Sequence, residues 1–407
     1  MSYNPEKQMV KISEVCYVFD GPHATPTKTD DGPVYLGIDS LTADGRINPE
    51  GYNHLSEEDL IKWTKRVTPM PGDVVFSYEA TLGRYAIIPE GFYGCLGRRI
   101  ALLRAKDERI NPKWLLYYFL SPEWKKFIDS KIVIGSTVNR IAIKEFPDYE
   151  IPLVPRVTQD KIVAVLSSLD EKADVDRKII SNLQKRADEL FRGTFITFEC
   201  LDNSNMIDSD LGLIPSEWKV LSLGDVTQNV RKKVQDQSLR VLSAVNSGRL
   251  KPSDEYFSKQ VFSKDISNYL VVEENDFAYN PARVNIGSIG MNDLGYTGCV
   301  SPVYVVFRAE EGYHNYFKFF IKTKRFAEEV KLRSFGSVRQ SMNYSDFAQI
   351  LIAYPPKSVM SSFNDQYETI LHDQMIYETE MKKILEMKEL LLPALISGDL
   401  DVSGVNL

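Results

Sequence analysis

The chain repeats itself once, with a period of roughly 200 residues, which is too long for a solenoid and suits two copies of one domain. Five matches recur in the same order. Val10-Lys11-Ile12-Ser13-Glu14-Val15 returns as Leu221-Ser222-Leu223-Gly224-Asp225-Val226, and Pro71-Gly72-Asp73-Val74-Val75-Phe76 as Glu274-Asn275-Asp276-Phe277-Ala278-Tyr279. Gly94-Cys95 is answered by Gly298-Cys299, again just ahead of a β-branched stretch containing Val303, Val305 and Val306. The amphipathic segment Asn111 to Asp129, with Trp114, Phe119, Trp124 and Phe127, is answered by Tyr313 to Arg333, with Tyr316, Phe320 and Phe326. Gly135-Ser136 through Pro155 matches Gly336-Ser337 through Pro356, placing Phe146 over Phe347 and Ile151 over Ile352. Each copy mixes short strand-like runs with one helix, so the fold class expected is α+β, two similar mixed α/β domains in tandem. The join falls between Thr197 and Pro215, where Asp202, Asn203, Ser204, Asn205, Asp208, Ser209 and Asp210 read as a solvated linker.

Each copy ends in a long helix. After Thr158-Gln159-Asp160, a plausible start, neither proline nor glycine occurs until Gly193. Ile162, Leu166, Leu169, Ala173, Ile180, Leu183, Ala187 and Leu190 alternate spacings of four and three, with Asp176 interrupting the seam. A heptad stripe of this kind requires a partner helix. Ile370, Tyr377, Met381, Ile384, Leu391 and Leu395 supply the same register in the second copy, interrupted by Gln374 and Lys388. The alternative is that each helix packs on its own domain. A helix this long outgrows the domain it follows, so the expectation is an antiparallel coiled coil that holds the domains apart. The boundaries read as a first domain over 1–156, a first helix over 157–195, a linker and second domain over 196–356, and a second helix with its tail over 357–407.

Composition and missing motifs narrow the function. No basic start is paired with an apolar run and no segment is apolar enough to cross a bilayer, so a cytoplasmic protein is expected. Cys16, Cys95, Cys200 and Cys299 stand far apart and read as reduced thiols, with no metal-ligand spacing. The net charge of -7 counts against a simple nucleic-acid binder, though the sequence permits acidic residues to gather on the helices and leave basic ones on the DNA side of the domains. Asn280-Pro281-Ala282-Arg283 lacks the second proline and the aromatic of an adenine methylase motif. Pro147-Asp148 and Glu150 are followed by Pro152 where a metal nuclease needs lysine, no phosphate-binding Gly-Lys loop occurs, and the four histidines form no ligand pair. No catalytic site, metal or cofactor is expected.

The exit Ile151-Pro152-Leu153-Val154-Pro155, the run Gln159-Asp160-Lys161-Ile162-Val163-Ala164-Val165-Leu166-Ser167-Ser168-Leu169-Asp170 and its continuation Arg177-Lys178-Ile179-Ile180-Ser181-Asn182-Leu183 resemble the specificity subunits of type I restriction-modification systems. So do Gly21-Pro22-His23-Ala24-Thr25-Pro26, Leu213-Ile214-Pro215-Ser216-Glu217-Trp218 and the ending Leu391-Leu392-Pro393-Ala394-Leu395-Ile396-Ser397-Gly398-Asp399-Leu400. The resemblance implies two target-recognition domains that read a bipartite, asymmetric site on double-stranded DNA. It also implies docking of two methyltransferase (modification) subunits and of restriction motor-nuclease subunits. One departure stands out: Lys357 to His372 lacks the apolar run seen from Ile162 to Leu169, so the helices are expected to pair unevenly.

Reading DNA needs long donors for base edges, and shorter groups or backbone amides for phosphates. In the first copy Arg84, Arg98, Arg99 and Arg140 fall in turn-like positions beside Tyr78, Ser136, Thr137 and Asn139. The second copy offers Asn280, Arg283, Asn285, Arg333, Ser337, Arg339 and Gln340. The Gly-Ser loops at Gly135 and Gly336 each precede a polar-basic run that could meet a phosphate or guanine, or could be plain turns. Any one of these side chains could equally be a solvated surface charge. A DNA-binding adaptor is thus weighed against a fused enzyme and against a coiled-coil scaffold that binds only protein.

Overall fold

The computed structural model describes residues 7–135, 138–201, 205–257, 259, 262–333 and 341–406. The chain forms two compact units. One comprises residues 1–177 and 378–407, the other residues 178–377. Each long helix therefore contributes one part to each unit.

In the first unit, Gln8–Lys11 pairs antiparallel with Glu150–Leu153, setting Val10 opposite Ile151. A helical turn, Ile12–Val15, leads into a four-stranded antiparallel sheet in the order Cys16–Asp20, Ile100–Ala105, Val74–Ser77, Tyr85–Ile87. A three-stranded sheet places Thr29–Leu36 between Asn53–His54 and Gly94–Leu96. In the second unit, Lys219–Ser222 pairs with Leu351–Tyr354 and sets Leu221 opposite Ile352. A turn at Leu223–Val226 follows, and then strands in the order Thr227–Val230, Val305–Ala309, Phe277–Tyr279, Ile289–Met291. That order reproduces the first unit strand for strand. Here the sheet continues through Arg249–Pro252, Arg240–Val245, Gly298–Val300 and Leu270–Val272, because Arg249 pairs with Met291 and joins what the first unit keeps separate.

Two details show why the repeated motifs recur. Gly72 and Asn275 both adopt left-handed backbone, at φ +89° and +66°, which glycine and asparagine tolerate best. The aspartate that follows each is buried. Asp73 accepts from Met70 N at 2.7 Å and from Arg104 at 2.8 and 2.6 Å, while Asp276 accepts from Glu273 N at 2.9 Å and from Arg308 at 2.6 and 2.8 Å. The Gly-Cys pairs mark close approach between parallel strands: a Cβ on Gly94 would lie 2.1 Å from Val34 O, and one on Gly298 2.5 Å from the Leu242 side chain.

Each amphipathic segment is two helices rather than one. Pro122 lacks the N–H needed to continue Pro112–Leu120, and Ser121 turns extended to cap Pro122–Asp129 through Trp124 N. In the second copy Thr323 does the same between His314–Phe320 and Lys324–Arg333 by accepting from Phe326 N. These helices bury Trp114, Phe119 and Trp124 against Phe76 and Phe146, and Phe317, Phe320 and Phe326 in one core with Phe277, Phe307 and Phe347. The expected linker is also more ordered than its composition implies. Met206–Ile207 pairs with Ile214–Pro215, and Phe198 packs edge-on to Trp218. Asp202, Asn203 and Ser204 lie outside the described residues.

The long helices are Arg156–Phe195 and Lys357–Ser397, of 40 and 41 residues. The first starts before Thr158 because Thr158 and Gln159 are buried rather than capping, and Gln159 bonds Arg109 O, Val154 O and Asn111 N. Within the first unit Ile162 and Leu166 share a core with Leu392, Leu395 and Ile396. Asp170 meets Lys388 at 2.5 Å and Lys172 meets Glu380 at 3.2 Å, so over this stretch the two segments run in opposite directions. Asp176, the interruption in the first seam, is fully buried and bonded to Lys172 at 2.7 Å. In the second unit Met360, Phe363, Tyr367 and Ile370 are buried with Ala187, Phe191 and Phe195. The segment after Lys357 therefore has a seam, built from Met and aromatic side chains rather than the aliphatic run of the first copy. The first helix interleaves Asp170, Asp174 and Asp176 with Lys172, Arg177 and Lys178, so acidic residues are not set apart there. No described helix is long and apolar enough to cross a membrane.

Candidate nucleic-acid interface

In the first copy three turns are zipped together by backbone hydrogen bonds. Tyr78 N donates to Arg99 O at 3.1 Å, Ile141 N donates to Tyr78 O at 2.8 Å, and Ala80 N donates to Asn139 O at 3.2 Å. Glu79 and Arg140 form an isolated bridge. The hairpin loop after Val74–Ser77, the turn before Ile100–Ala105 and the strand at Arg140–Ile141 thereby bring Tyr78, Arg84, Arg98, Arg99, Asn139 and Arg140 into one region. Ser136 and Thr137 lie outside the described residues.

The six differ in availability. Arg98, Asn139 and Arg140 are exposed, and Arg99 is half-buried with Nε 3.6 Å from Glu79. Arg84 is tied to Leu41 O at 3.3 Å, and Tyr78 is buried, so its ring supports the loop rather than presenting a face to a base. Burial pushes the Tyr78 phenol upward, keeping it neutral. Ala80 and Arg99 both adopt left-handed backbone, at φ +67° and +72°, so two strained residues flank this region.

The second copy builds an equivalent platform from different residues. Met342 N donates to Pro281 O at 3.1 Å, the counterpart of the Ile141–Tyr78 bond. Asn280 Oδ1 accepts from Ala282 N at 3.0 Å, and Arg283 O accepts from Ile286 N and Ser288 N, both at 3.1 Å. These bonds fix a compact loop from which Arg283, Asn285 and Ile286 project in exposed positions. Asn280 holds the turn as an Asx cap. Arg333 is engaged elsewhere, on Glu329 at 2.7 Å and Gln349 O at 3.2 Å, where it staples the end of Lys324–Arg333. Ser337, Arg339 and Gln340 lie outside the described residues. Lys322, part of the same basic stretch in sequence, is exposed, and partial desolvation together with the nearby Lys318 and Arg249 charges lowers its pKa.

Sequence reasoning missed Glu79, because an acidic residue in a turn carries no signal until its neighbour across the fold is known. It also missed the junction between the first domain and the helices. There Asp170 accepts from Tyr117 Oη at 2.7 Å, and Arg46 contacts Asp170 and Asp174.

Among the described residues no His, Cys, Asp and Glu grouping could hold a metal, and the four cysteines are free thiols. Residues 4–185 match the family described as the type I restriction modification DNA specificity domain. The type I restriction enzyme MjaIX specificity subunit of Methanocaldococcus jannaschii is 23% identical over 371 residues, covering 86% of this chain and 83% of that one. The HindI specificity subunit of Haemophilus influenzae is 19% identical over 405 residues, covering 81% of this chain and 86% of that one. Residues 4–185 thus match the DNA specificity domain of these systems, and over most of its length the chain is similar to type I restriction enzyme specificity subunits.

Specificity subunits are the non-catalytic, DNA-recognising components of these systems. The fold agrees. The specificity subunit from M. genitalium superposes with a TM-score of 0.53 at 12% identity, covering 97% of both chains. A chain from a structure concerned with complex assembly and conformational transition of the type I R-M system gives 0.50 at 16% identity, covering 98% of this chain and 100% of that one.

Proposed function

We propose that this chain is a type I specificity subunit that reads a bipartite, asymmetric DNA site, one half with each copy of the repeated domain. The observation that supports it is the duplicated sheet order carrying two loop platforms of different composition: Arg98, Arg99, Asn139 and Arg140 in the first, Asn280, Arg283 and Asn285 in the second. Equivalent scaffolds with different donors are what two different half-sites require. Ser136, Thr137, Ser337, Arg339 and Gln340 belong to the same proposal by their place in the sequence. The two long helices pair as an antiparallel coiled coil that sets the gap between the half-sites. The faces of those helices receive two methyltransferase subunits, and restriction motor-nuclease subunits complete the assembly.

Domain exchange tests this directly. Replacing residues 210–356 with the matching region of a related subunit, in a complex assembled with its modification subunits, should change one half of the methylated motif. The other half and the gap should stay as they were. A motif altered in both halves would reject independent reading by the two copies.

A further inference from the structure

We propose that Arg99 reads a guanine in the half-site bound by the first domain. The inference rests on the DNA-reading role proposed above and names one contact within it.

Arg99 occupies the turn between Gly94–Leu96 and Ile100–Ala105 at φ +72°, a conformation that side chains with a Cβ rarely adopt. The fold holds it there. Arg99 O accepts from Tyr78 N at 3.1 Å, and the Tyr78 carbonyl is bonded in turn to Ile141 N. Strain persists where the surroundings over-determine it, and such positions concentrate at binding sites.

The side chain is half-buried and oriented by Glu79, yet its donors are left open. It is 31% exposed, and its Nε lies 3.6 Å from Glu79 Oε2. That separation attracts and orients the guanidinium without a hydrogen bond, and the buried Nε has no hydrogen-bond partner. Among the described residues no acceptor occupies the two terminal nitrogens either. Other arginines of this domain are committed: Arg104 grips Asp73, Arg84 bonds Leu41 O and Arg109 bonds Asp107. Arg98 and Arg140 are exposed, so fixing either against a base edge costs more side-chain entropy. Arg99 is the donor of this region that combines partial burial with open N–H groups. A planar fork with part of its freedom already removed fits the O6 and N7 acceptors that guanine presents in the major groove.

The second copy has nothing equivalent. The stretch after Gly298–Val300 is Ser301-Pro302-Val303, with no arginine at the turn. The contact therefore belongs to one half-site.

The test uses the complex assembled with its modification subunits, after methylation mapping has given the site and domain exchange has assigned its halves. DNA carrying the site is compared with versions in which each guanine of the first half is replaced in turn by 7-deazaguanine, which lacks the N7 acceptor. The wild-type complex should lose roughly 5- to 150-fold in affinity at one of these guanines, the range of a bidentate base contact. Arg99→Met, which keeps an apolar stem but has no donor, should be indifferent to that replacement while keeping the wild-type response at every other position, and its second half-site should be unchanged. Arg99→Ala should match Arg99→Met, and if it fails to assemble the methionine variant carries the test. A first half-site without guanine would overturn the proposal. So would a methionine variant that responds as wild type does at every guanine. A loss in Arg99→Ala that is equal on all DNA sequences and is restored by lysine would mark a phosphate contact and also overturn it. A wild-type complex that methylates no defined sequence would instead overturn the DNA-reading role itself.

Discussion

The two copies share a sheet order but attach to their helical segments by different physics. In the first unit a polar network supplements the aliphatic packing of Ile162, Leu166, Leu392 and Leu395 against the domain. Asp170 accepts from Tyr117 Oη and from Lys388, whose ammonium also lies 5.2 Å from the Tyr117 ring, and Arg46 and Arg177 bridge Asp44 and Asp174. In the second unit the attachment is aromatic. Phe191 stacks on Phe319 at 5.1 Å, Phe363 meets Phe195 edge-on at 4.8 Å, and Tyr367 meets Phe319 edge-on at 5.1 Å. A duplicated scaffold conserves strand pairing because a one-residue slip would turn every side chain to the wrong face. The helix junction has no such constraint and can be rebuilt from either chemistry.

Removing the aromatic junction should have the largest effect. Phe363 is 1% exposed and touches four other rings, so Phe363→Ala should destabilise the second unit by about 3–5 kcal/mol. Urea unfolding followed by hydrogen exchange resolved along the chain should place the loss in residues 178–377. An equal loss in both units would mean that they unfold as one.

The polar junction should be weaker and more sensitive to its surroundings. Asp170→Asn removes the charge facing Lys388, which is 13% exposed, and should cost the first unit about 2 kcal/mol. Trp114 and Trp124 report that unit and Trp218 the other, so single-tryptophan variants can follow the two transitions separately. Added salt should lower the wild-type first transition slightly and leave the second alone. An unchanged first transition in Asp170→Asn would show that the network orients without stabilising.

The smallest expected difference is in pH. Burial, helped by Lys318, lowers the pKa of His314 below its usual 6.5, against the opposing pull of Glu368 and Glu274. A depressed histidine binds fewer protons folded than unfolded, so stability is full above pH 6.5 and falls as pH drops through the folded value. The second unit should show this slope, and His314→Gln should flatten it. A slope that survives the substitution would assign the effect to another group.

Much of this architecture was legible in the sequence because strand pairing and helix seams leave periodic marks. Gly72-Asp73 and Asn275-Asp276 could be matched without coordinates, since both positions need left-handed backbone followed by a buried acceptor. The heptad at Ile162, Leu166 and Ala173 was visible for the same reason, and all three residues are buried. The break at Ser121-Pro122 was readable but overlooked, because the aromatic stripe continues across it. The seam at Phe363, Tyr367 and Ile370 was hidden because mixed aromatic and polar residues obscure the stripe.

The candidate interface divides in the same way. Sequence alone nominated donors in turns, since turn residues and long cationic side chains are identifiable one at a time. Which of them face a common surface was decided by hydrogen bonds between residues far apart in the chain, such as Tyr78 to Arg99 and Ala80 to Asn139. Tertiary structure also committed Arg333 to Glu329, buried Tyr78, and left the Arg99 donors open. The type of each residue is local information. Its availability depends on which partners the fold places within a few ångströms, and no periodicity along the chain records that.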